Sequence, residues 1–313
     1  MFNRRFLRIK VFQQVYAYMK DALANRNMHE KYLIKSLDKA NELYIFLLTI
    51  PVSLRQFATK QLEIELAKYY PSDVIINPLK SIVNNKAIIK LEESEYLNDH
   101  VKKYNLSWIN NDELFKSVWT QLKSNAFIDI YGSKDSHTFL EDRKALNDIM
   151  QIMIADSELL DSYLEELFIN WEDDQAVVVG LVLKSIDQIK ENSQDEFISK
   201  PNNEDEDLTF MKQLFRLAID KEEEITTLIA DKTQNWEADR IAVADLILMK
   251  LALCEILYFP YVPVKVSINE YLELAKLYST PNSHGFINGI LDKIQIDLKK
   301  DNRIEKLGRG LVE

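Results

Sequence analysis

The sequence predicts an all-α fold, and both composition and periodicity support that prediction. Glycine occurs six times and proline seven times in 313 residues, so tight turns and β-hairpins should be few. With few turns, the abundant leucine, isoleucine, lysine and glutamate favour long helices over strands. Apolar side chains also recur at three- and four-residue spacing in several segments, as they do in amphipathic helices. A chain of this length can hold two domains or one enlarged domain.

Charge is distributed unevenly along the chain. The net charge of -11 argues against a generally basic nucleic-acid binder. Residues 1–20 nevertheless contain five basic residues and no acidic one, whereas residues 191–207 contain seven acidic residues and one lysine. The basic residues are Arg4, Arg5, Arg8, Lys10 and Lys20. This pattern predicts a local basic site on an otherwise acidic body.

Cysteine usage and hydropathy indicate the compartment. Cys254 is the only cysteine, and its apolar neighbours predict a buried core thiol in a reducing environment. The first residues, MFNRRFLRIK, lack the long apolar region of a secretory signal. The apolar stretches 44–52 and 176–183 are too short to span a bilayer, and the stretch 241–258 contains charged residues. We therefore expect a cytoplasmic protein that does not enter a membrane.

The first segment predicts one amphipathic helix with a basic start. Its arginines at positions 4, 5 and 8 occupy the same angular sector as the apolar stripe, one to two turns before it begins. Unpaired arginines should not be buried, so we expect basic first turns or an unwound arm that extends beyond the body. The stripe that should be buried consists of Val11, Phe12, Val15, Tyr16 and Met19.

Breaks in the apolar pattern organise the next part of the chain. Pro51 should divide residues 29–71 into two helices. Residues 72–111 are expected to be irregular, with a short β-like stretch at 87–91. A further helix should cover 112–130. A loop is predicted at 131–137, and helices should resume near residue 140.

Two later segments have similar sequences. Residues 169–186 align with 234–251, so that Trp171 matches Trp236, and Asn235 is expected to cap the second helix. Two explanations fit this similarity equally well: a decayed duplication, or convergence on a common type of helix start. The similarity does not indicate a function.

The helical pattern is strongest from Thr209 onward. Residues 241–257 are apolar nearly all round and predict a central core helix, ended by Pro260 and Pro263. Ser267 and Glu270 should form a capping box at the start of the next helix. Residues expected to be buried in the three flanking helices are Phe210, Met211, Leu214, Phe215, Ala218, Ile268, Tyr271, Leu272, Ala275, Leu277, Phe286, Ile287, Ile290, Leu291 and Ile294.

Three sequence blocks at the two ends of the chain match one family pattern. VPVKVSINEYLELAKLYSTPNSHGFINGILDKI (262–294) contains a proline-bounded turn, then V-x-I-N-E, L-A-K and S-x-x-F-[VI]-N-G-[VI]-L-D. NWEADRIAVADLILMKLALCEIL (235–257) precedes it, and RRFLRIKVFQQVYAY (4–18) has an arginine-rich start followed by Q-x-x-Y. In this order and spacing, the blocks resemble the NusB family.

The resemblance implies an interrupted domain. It covers about 1–24 and 208–313, which should form an all-α NusB-like RNA-binding core. Residues 25–190 would then be a mostly helical insertion of unknown role, and residues 191–207 an acidic linker. Two positions depart from the family pattern: Lys250 stands where arginine is common, and Asn282 where an acidic residue is common.

The resemblance also implies a function. NusB proteins bind the single-stranded boxA element of nascent RNA together with NusE, a small-subunit ribosomal protein. The complex joins RNA polymerase and makes it resist termination, chiefly on ribosomal RNA operons. We expect the same role here, without a cofactor. The alternative is a helical protein-interaction scaffold that kept the NusB-like core but does not bind RNA.

The resemblance assigns RNA contacts to Arg4, Arg5, Arg8, Gln13 and Phe286. Guanidinium groups bind phosphate through paired hydrogen-bond donors. The alternative interpretation is a basic chain end that binds no partner, because it would have the same composition. The Phe286 ring would be a platform for an unstacked base, or else a core side chain. Gln13 would hydrogen-bond a base edge, or else be solvated surface.

Further residues on the family-like helices carry weaker assignments. Asp245 and Asn282 match positions that imply a NusE contact, although a lone charge on a core helix also suggests an internal ion pair. Gly285 and Gly289 favour close approach of another helix over RNA contact.

Enzyme signatures are lacking in the sequence. The four histidines are scattered and include no H-x-x-x-H pair for a metal. No G-x-S-x-G, P-loop or dinucleotide-binding motif occurs. We therefore expect neither catalysis nor a metal site.

Overall fold

Helices provide all of the regular secondary structure in residues 2–108, 111–200, 204–233 and 241–311, which are the residues that the computed structural model describes. The predicted all-α fold is confirmed. The chain divides into two compact units. The middle unit is Asp38–Lys200, and the terminal unit combines Phe2–Leu37 with Pro201–Glu313. Whether these units correspond to the expected core and insertion stays a prediction.

Fifteen α-helices are found in the described residues, followed by a short 3₁₀ helix at Gly308–Leu311. In chain order they are α1 (Arg4–Lys20), α2 (Arg26–Leu66), α3 (Asp73–Val83), α4 (Lys86–Glu92), α5 (Glu95–Tyr104), α6 (Asp112–Lys123), α7 (Ala126–Gly132), α8 (Phe139–Asp156), α9 (Glu158–Leu167), α10 (Trp171–Gln188), α11 (Glu204–Asp220), α12 (Glu222–Ala230), α13 (Val243–Tyr258), α14 (Val264–Tyr278) and α15 (Ser283–Lys300). None of them combines the length and hydropathy that a bilayer span requires.

The terminal unit is built around α13. Helices α1, α11, α12, α14 and α15 all contact it. Its side chains from Ile247 to Ile256 are buried all round, as the apolar pattern predicts for a core helix. Each large aliphatic side chain buried in this way contributes about 1.5–3 kcal/mol to stability. This packing fixes the neighbouring helices against one another.

The first helix is buried from Phe6 to Phe12, where exposed basic turns or an arm are expected. Asn3 caps α1 by accepting a hydrogen bond from the Phe6 amide at 2.8 Å, and the side chains from Phe6 to Phe12 are buried. Tyr16 and Met19, predicted to be buried, are 41% and 36% exposed. The expected basic arm is therefore wrong, because the first half of α1 packs on α11 and α13.

The predicted capping box at Ser267 is also wrong. Helix α14 already begins at Val264, directly after Pro263, whose extended backbone (φ -61°, ψ 144°) precedes the first turn. Ser267 therefore lies inside the helix, and its hydroxyl donates to Glu255 instead of capping a backbone amide. The other predicted core residues of α14 are buried except Leu277, which is 65% exposed. The predicted core face of α11 is confirmed.

Two expectations for the middle unit are wrong because tertiary packing overrides local signals. Pro51 lies inside one continuous helix, α2, although proline costs a helix interior about 3 kcal/mol. The buried side chains from Leu43 to Ile50 outweigh that cost. The region expected to be irregular forms α3, α4 and α5, and the β-like stretch 87–91 lies in α4. Short apolar runs do not distinguish a strand from a buried helix.

Polar caps explain the boundaries that follow. The helix expected over 112–130 is divided into α6 and α7 at Asn125, which accepts from the Phe127 amide at 3.0 Å. Helix α8 begins after a complete capping box of Thr138 and Glu141, which confirms that helices resume near residue 140. Phe197 and Ile198, which lie within the expected acidic linker, are buried. A fully solvated linker would leave both side chains exposed. The expected cap at Asn235 and the helix start at Trp236 lie outside the described residues.

Candidate nucleic-acid interface

Arg8 belongs to a buried ion pair at the centre of the terminal unit. Its side chain is 4% exposed and that of Glu255 is 0% exposed. The guanidinium donates two hydrogen bonds to the carboxylate, at 2.9 and 2.6 Å. The same carboxylate accepts from the hydroxyls of Ser267 at 2.8 Å and Tyr271 at 3.2 Å. The pair therefore holds α1, α13 and α14 together, and the expectation that Arg8 is exposed is wrong.

The electrostatics of this cluster keep Arg8 charged. Burial by itself lowers the pKa of Arg8, but the hydrogen bonds and charge of Glu255 raise it above the ordinary value. The pKa of Tyr271 is raised well above its ordinary value, first by burial and then by the charge of Glu255. Tyr271 therefore stays a neutral donor to the carboxylate, which suits a permanent structural ion pair.

Arg4 and Arg5 remain accessible, although each has a carboxylate partner. The Arg5 side chain is 44% exposed and donates to both oxygens of Glu270 at 2.9 Å. This hydrogen bonding raises the pKa of Arg5. The Arg4 side chain is 39% exposed, lies 4.6 Å above the Phe210 ring and donates to Glu206 at 2.7 Å. Its Nη1 atom is shielded from solvent and makes no hydrogen bond in the described residues.

The three arginines line a cleft of about 1020 Å³ in the terminal unit. The first turns of α1 form one wall, α11 forms another, and the turn between α13 and α14 closes the cleft. Tyr261, in that turn, is 66% exposed. Sequence reasoning missed Tyr261, although an aromatic residue between Pro260 and Pro263 was the available signal. The cleft thus combines guanidinium groups with an accessible aromatic ring.

The remaining predicted RNA contacts lie farther along the same helices. Gln13 is half-buried on α1, and the neighbouring Phe12 ring lies 5.1 Å from Tyr278 at the end of α14. Phe286 is only partly buried, in the first turn of α15, and packs on the core. Arg5 and Arg8 contact Glu270 in the first half of α14, whereas α15 begins beyond the last turn of α14. Glu270 lies about 12 Å along the helix axis from the end of α14.

The two predicted partner residues differ in accessibility. Asp245 is 5% exposed and accepts hydrogen bonds from the hydroxyls of Ser279 and, at 2.7 Å, Ser283. The internal ion pair considered for Asp245 is thus replaced by two hydroxyl donors, which tie the start of α15 to α13. Asn282 is exposed at the N-cap of α15 and makes no capping hydrogen bond with its side chain.

A side-chain-free strip on α15 faces open space. A Cβ atom added at Gly285 or Gly289 would meet no atom within 4 Å. The helix approach predicted there is therefore not found in the described residues. The strip lies on the same helix as the predicted base platform, Phe286.

Other chemistry is limited within the described residues. No group of three or more His, Cys, Asp or Glu side chains could hold a metal ion there. Cys254 is buried, as predicted, and burial raises the pKa of its thiol to about 12. The thiol is therefore protonated and shielded, which makes it a poor nucleophile.

Comparison with known proteins links part of the chain, from the end of the middle unit into the terminal unit, to one family. The sequence model of the NusB family matches residues 176–295. A curated relative from Salinibacter ruber, named Transcription antitermination protein NusB, is 45% identical over 103 residues, or 33% of this chain and 64% of that protein. Relatives of the same name from Chloroherpeton thalassium and Desulfatibacillum aliphaticivorans are 44% and 41% identical over 104 and 97 residues. These matches cover 49% and 68% of the two relatives.

The match covers only part of this chain and part of each relative. This chain covers about half to two thirds of the length of these relatives, in a matched region that is about a third of its own length. The matched residues include the carboxylates of Glu255 and Glu270 and the ring of Phe286, but not the arginines of α1. No solved structure matches the chain.

Proposed function

Because the chain belongs to the NusB family, we propose that it is a transcription antitermination factor that binds single-stranded boxA-type RNA together with NusE. It would act in the cytoplasm with transcribing RNA polymerase and promote transcription of ribosomal RNA operons. The observation that carries the RNA assignment is the pair of accessible guanidinium groups, Arg4 and Arg5, at an aromatic-lined cleft. Guanidinium donors and exposed rings are the groups that hold single-stranded RNA.

The ion pairs indicate which arginines can exchange a carboxylate for a phosphate. Exposed ion pairs contribute only about 0–1 kcal/mol, so a phosphate can displace Glu206 from Arg4 and Glu270 from Arg5. Separating Arg8 from Glu255 would leave a buried charge uncompensated at a cost of about 3–5 kcal/mol. We therefore propose that Arg4 and Arg5 contact RNA directly, and that Arg8 supports them by fixing α1.

The half-exposed residues farther along α1 and α15 extend the proposed RNA path. Phe286 would stack on an unpaired base, and Gln13 would hydrogen-bond a base edge. Asn282 is the accessible candidate for a NusE contact. Asp245 would act indirectly, because both of its carboxylate oxygens are engaged by the serines that position the first turn of α15.

The salt dependence of RNA binding tests this proposal. The binding constant of the full chain for a boxA-like RNA would be measured from low to moderate salt, with and without NusE. The Arg4→Ala/Arg5→Ala variant should lower the log–log salt slope by about 1.4, because each phosphate contact on a single strand contributes about 0.7. Arg8 is left intact so that the variant folds.

A matched control removes two positive charges elsewhere in the terminal unit. Lys293 and Lys299 are exposed on α15 and form no ion pair in the described residues. Changing both to alanine should alter affinity slightly and leave the slope nearly unchanged. The interaction scaffold is the better description if the arginine variant and this control lose affinity equally. It is also the better description if the unaltered chain does not bind the RNA even with NusE present.

A further inference from the structure

A second cavity lies in the middle unit, outside the region that the NusB model matches. Its volume is about 410 Å³, and it lies where α3 and α7 end and α8 begins. Its lining is dominated by lysine, amide and hydroxyl side chains. These side chains include Lys80, Lys86, Lys134 and Ser81, and His137 and Asp142 lie beside them.

A buried hydrogen-bond network forms the floor of this cavity. Asn85 is 0% exposed and donates to the Tyr131 hydroxyl at 3.0 Å and to the Asp142 carbonyl at 2.9 Å. The Tyr131 hydroxyl donates to the Asp142 carboxylate at 2.7 Å, and the other oxygen of that carboxylate accepts from the Lys86 amide at 3.0 Å. A satisfied buried network is rigid, so the residues around it are held in place before any ligand arrives.

The backbone around the cavity is tightly packed as well. A Cβ atom at Gly132 would lie 2.9 Å from Pro78, so the end of α7 can approach α3 this closely only with glycine at that position. The loop that follows Gly132 leads to the capping box of α8, a helix of 18 residues. The positive end of the α8 macrodipole therefore lies beside the cavity.

One polar atom at the cavity has an unfilled hydrogen-bonding capacity. The His137 ring stacks on Tyr131 at 4.2 Å, and its Nε2 atom lies 3.4 Å from the Ser81 hydroxyl. Its Nδ1 atom is buried and has no hydrogen-bond partner in the described residues. Buried polar atoms are seldom left unpaired, so this atom indicates a missing partner.

The side chains that line the cavity include three lysines and two carboxylates. Lys80 is exposed and forms no ion pair within the described residues. The Lys86 ammonium donates to the His137 carbonyl at 3.2 Å, which leaves its charge uncompensated. Lys134 is paired with Glu141 at 2.5 Å. The buried Asp142 carboxylate is engaged by Tyr131 and the Lys86 amide, and Asp135 is exposed at the rim.

We propose that this cavity binds the phosphate group of a small phosphorylated molecule. Lys80 and Lys86 supply the charge, and His137 and Ser81 supply further hydrogen-bonding groups. The volume lies within the range of about 300–1,000 Å³ that small-molecule sites occupy. Carboxylates of Asp135 and Glu141 near the rim disfavour a long polyanionic strand, so the ligand is a free phosphate or a phosphomonoester such as a nucleoside monophosphate.

Phosphate binding to the full chain tests the proposal. Inorganic phosphate and AMP would each be titrated at constant ionic strength, with phosphorus NMR and calorimetry as readouts. Saturable binding is expected, and Lys80→Ala/Lys86→Ala should weaken it about tenfold or more, because two charge-assisted contacts are lost. The His137→Phe variant retains the stack on Tyr131 and should also weaken binding. Tighter binding of AMP than of phosphate would identify a nucleotide, whereas equal affinities would identify free phosphate.

Control variants separate this site from other anion binding. Lys60 and Lys116 are exposed in the same unit and form no ion pair in the described residues. Changing both to alanine should leave phosphate affinity unchanged. The proposal is overturned if no saturable binding occurs, if both lysine pairs have equal effects, or if only a 5′-phosphorylated RNA strand binds. Because Lys80→Ala/Lys86→Ala should leave boxA binding intact, this result is independent of the antitermination role.

Discussion

Removing Arg8 should destabilise the terminal unit more than any exposed charge change. The substitution Arg8→Met preserves most of the buried volume but leaves Glu255 buried without its countercharge. Glu255 would keep only its two hydroxyl donors, Ser267 and Tyr271. Breaking a buried ion pair from one side costs about 3–5 kcal/mol, so we expect a loss of that size in the free energy of unfolding.

The second half of the test removes the carboxylate charge. Glu255→Gln alone leaves Arg8 buried, with its nearest remaining carboxylate at Glu270, 3.7 Å away. This variant should also lose about 3 kcal/mol or more. In the double variant neither member of the pair carries a charge, and the glutamine oxygen can still accept from Ser267. The double variant should therefore be more stable than either single variant, with a coupling energy of at least about 2 kcal/mol.

Urea denaturation of the four proteins provides the measurement. The single thiol of the chain, Cys254, lies in α13, so pulse labelling of Cys254 reports the opening of the terminal unit specifically. With a slope of about 1–3 kcal/mol/M, a loss of 3–5 kcal/mol moves the midpoint by at least about 1 M. A loss below about 1 kcal/mol for Arg8→Met, or strictly additive effects in the double variant, would refute the reasoning.

Three further predictions concern single groups of the terminal unit. Because burial raises the pKa of Cys254 to about 12, a disulfide reagent at pH 8 should modify it far more slowly in the folded chain than in urea, and equal rates would contradict its burial. Burial lowers the pKa of Lys306 to about 8. Between about pH 8 and 10 the folded state holds fewer protons than the unfolded state, whereas below pH 8 both states are protonated. Stability relative to Lys306→Met should therefore be lowest and constant below pH 8 and should rise between pH 8 and 10. Glu206→Gln removes the charge of the nearer of the two carboxylates paired with Arg4, the other being Asp207 at 3.9 Å. It should strengthen RNA binding more than the control Glu223→Gln, which removes the same charge from the exposed surface of α12; equal effects would remove Arg4 from the proposed site.

The sequence predicts the helices of the terminal unit better than those of the middle unit, for a physical reason. Helix α13 is long and apolar all round, so its pattern has one interpretation. The segment 87–91 is only five residues long, and its apolar residues fit a strand or a helix equally well. Pro51 has a large local cost, but the helix continues because the burial of the preceding residues contributes more.

The candidate site was predictable as a set of cations but not as an arrangement. The arginines of α1 stand out in the sequence because no acidic residue lies near them in the chain. Their partners are distant: Glu255 lies 247 residues from Arg8, and Glu270 lies 265 residues from Arg5. Periodicity carries no information about such pairs. Burial of Arg8 follows only from the packing of α1 against α13.

The carboxylate partners also explain how a basic helix start can be both stable and, under the proposed function, available to RNA. Cations at a helix N-terminus oppose the macrodipole, at about 0.3–1 kcal/mol each when exposed. Glu206 and Glu270 offset that cost while the arginines are unoccupied, and the Asn3 cap satisfies the Phe6 amide. A phosphate that replaced either carboxylate would keep the guanidinium paired, so the proposed RNA binding would exchange one anion for another without exposing an unpaired cation. The affinity of the proposed site would then depend on the difference between phosphate and carboxylate partners, and therefore on Glu206 and Glu270 as well as on the arginines.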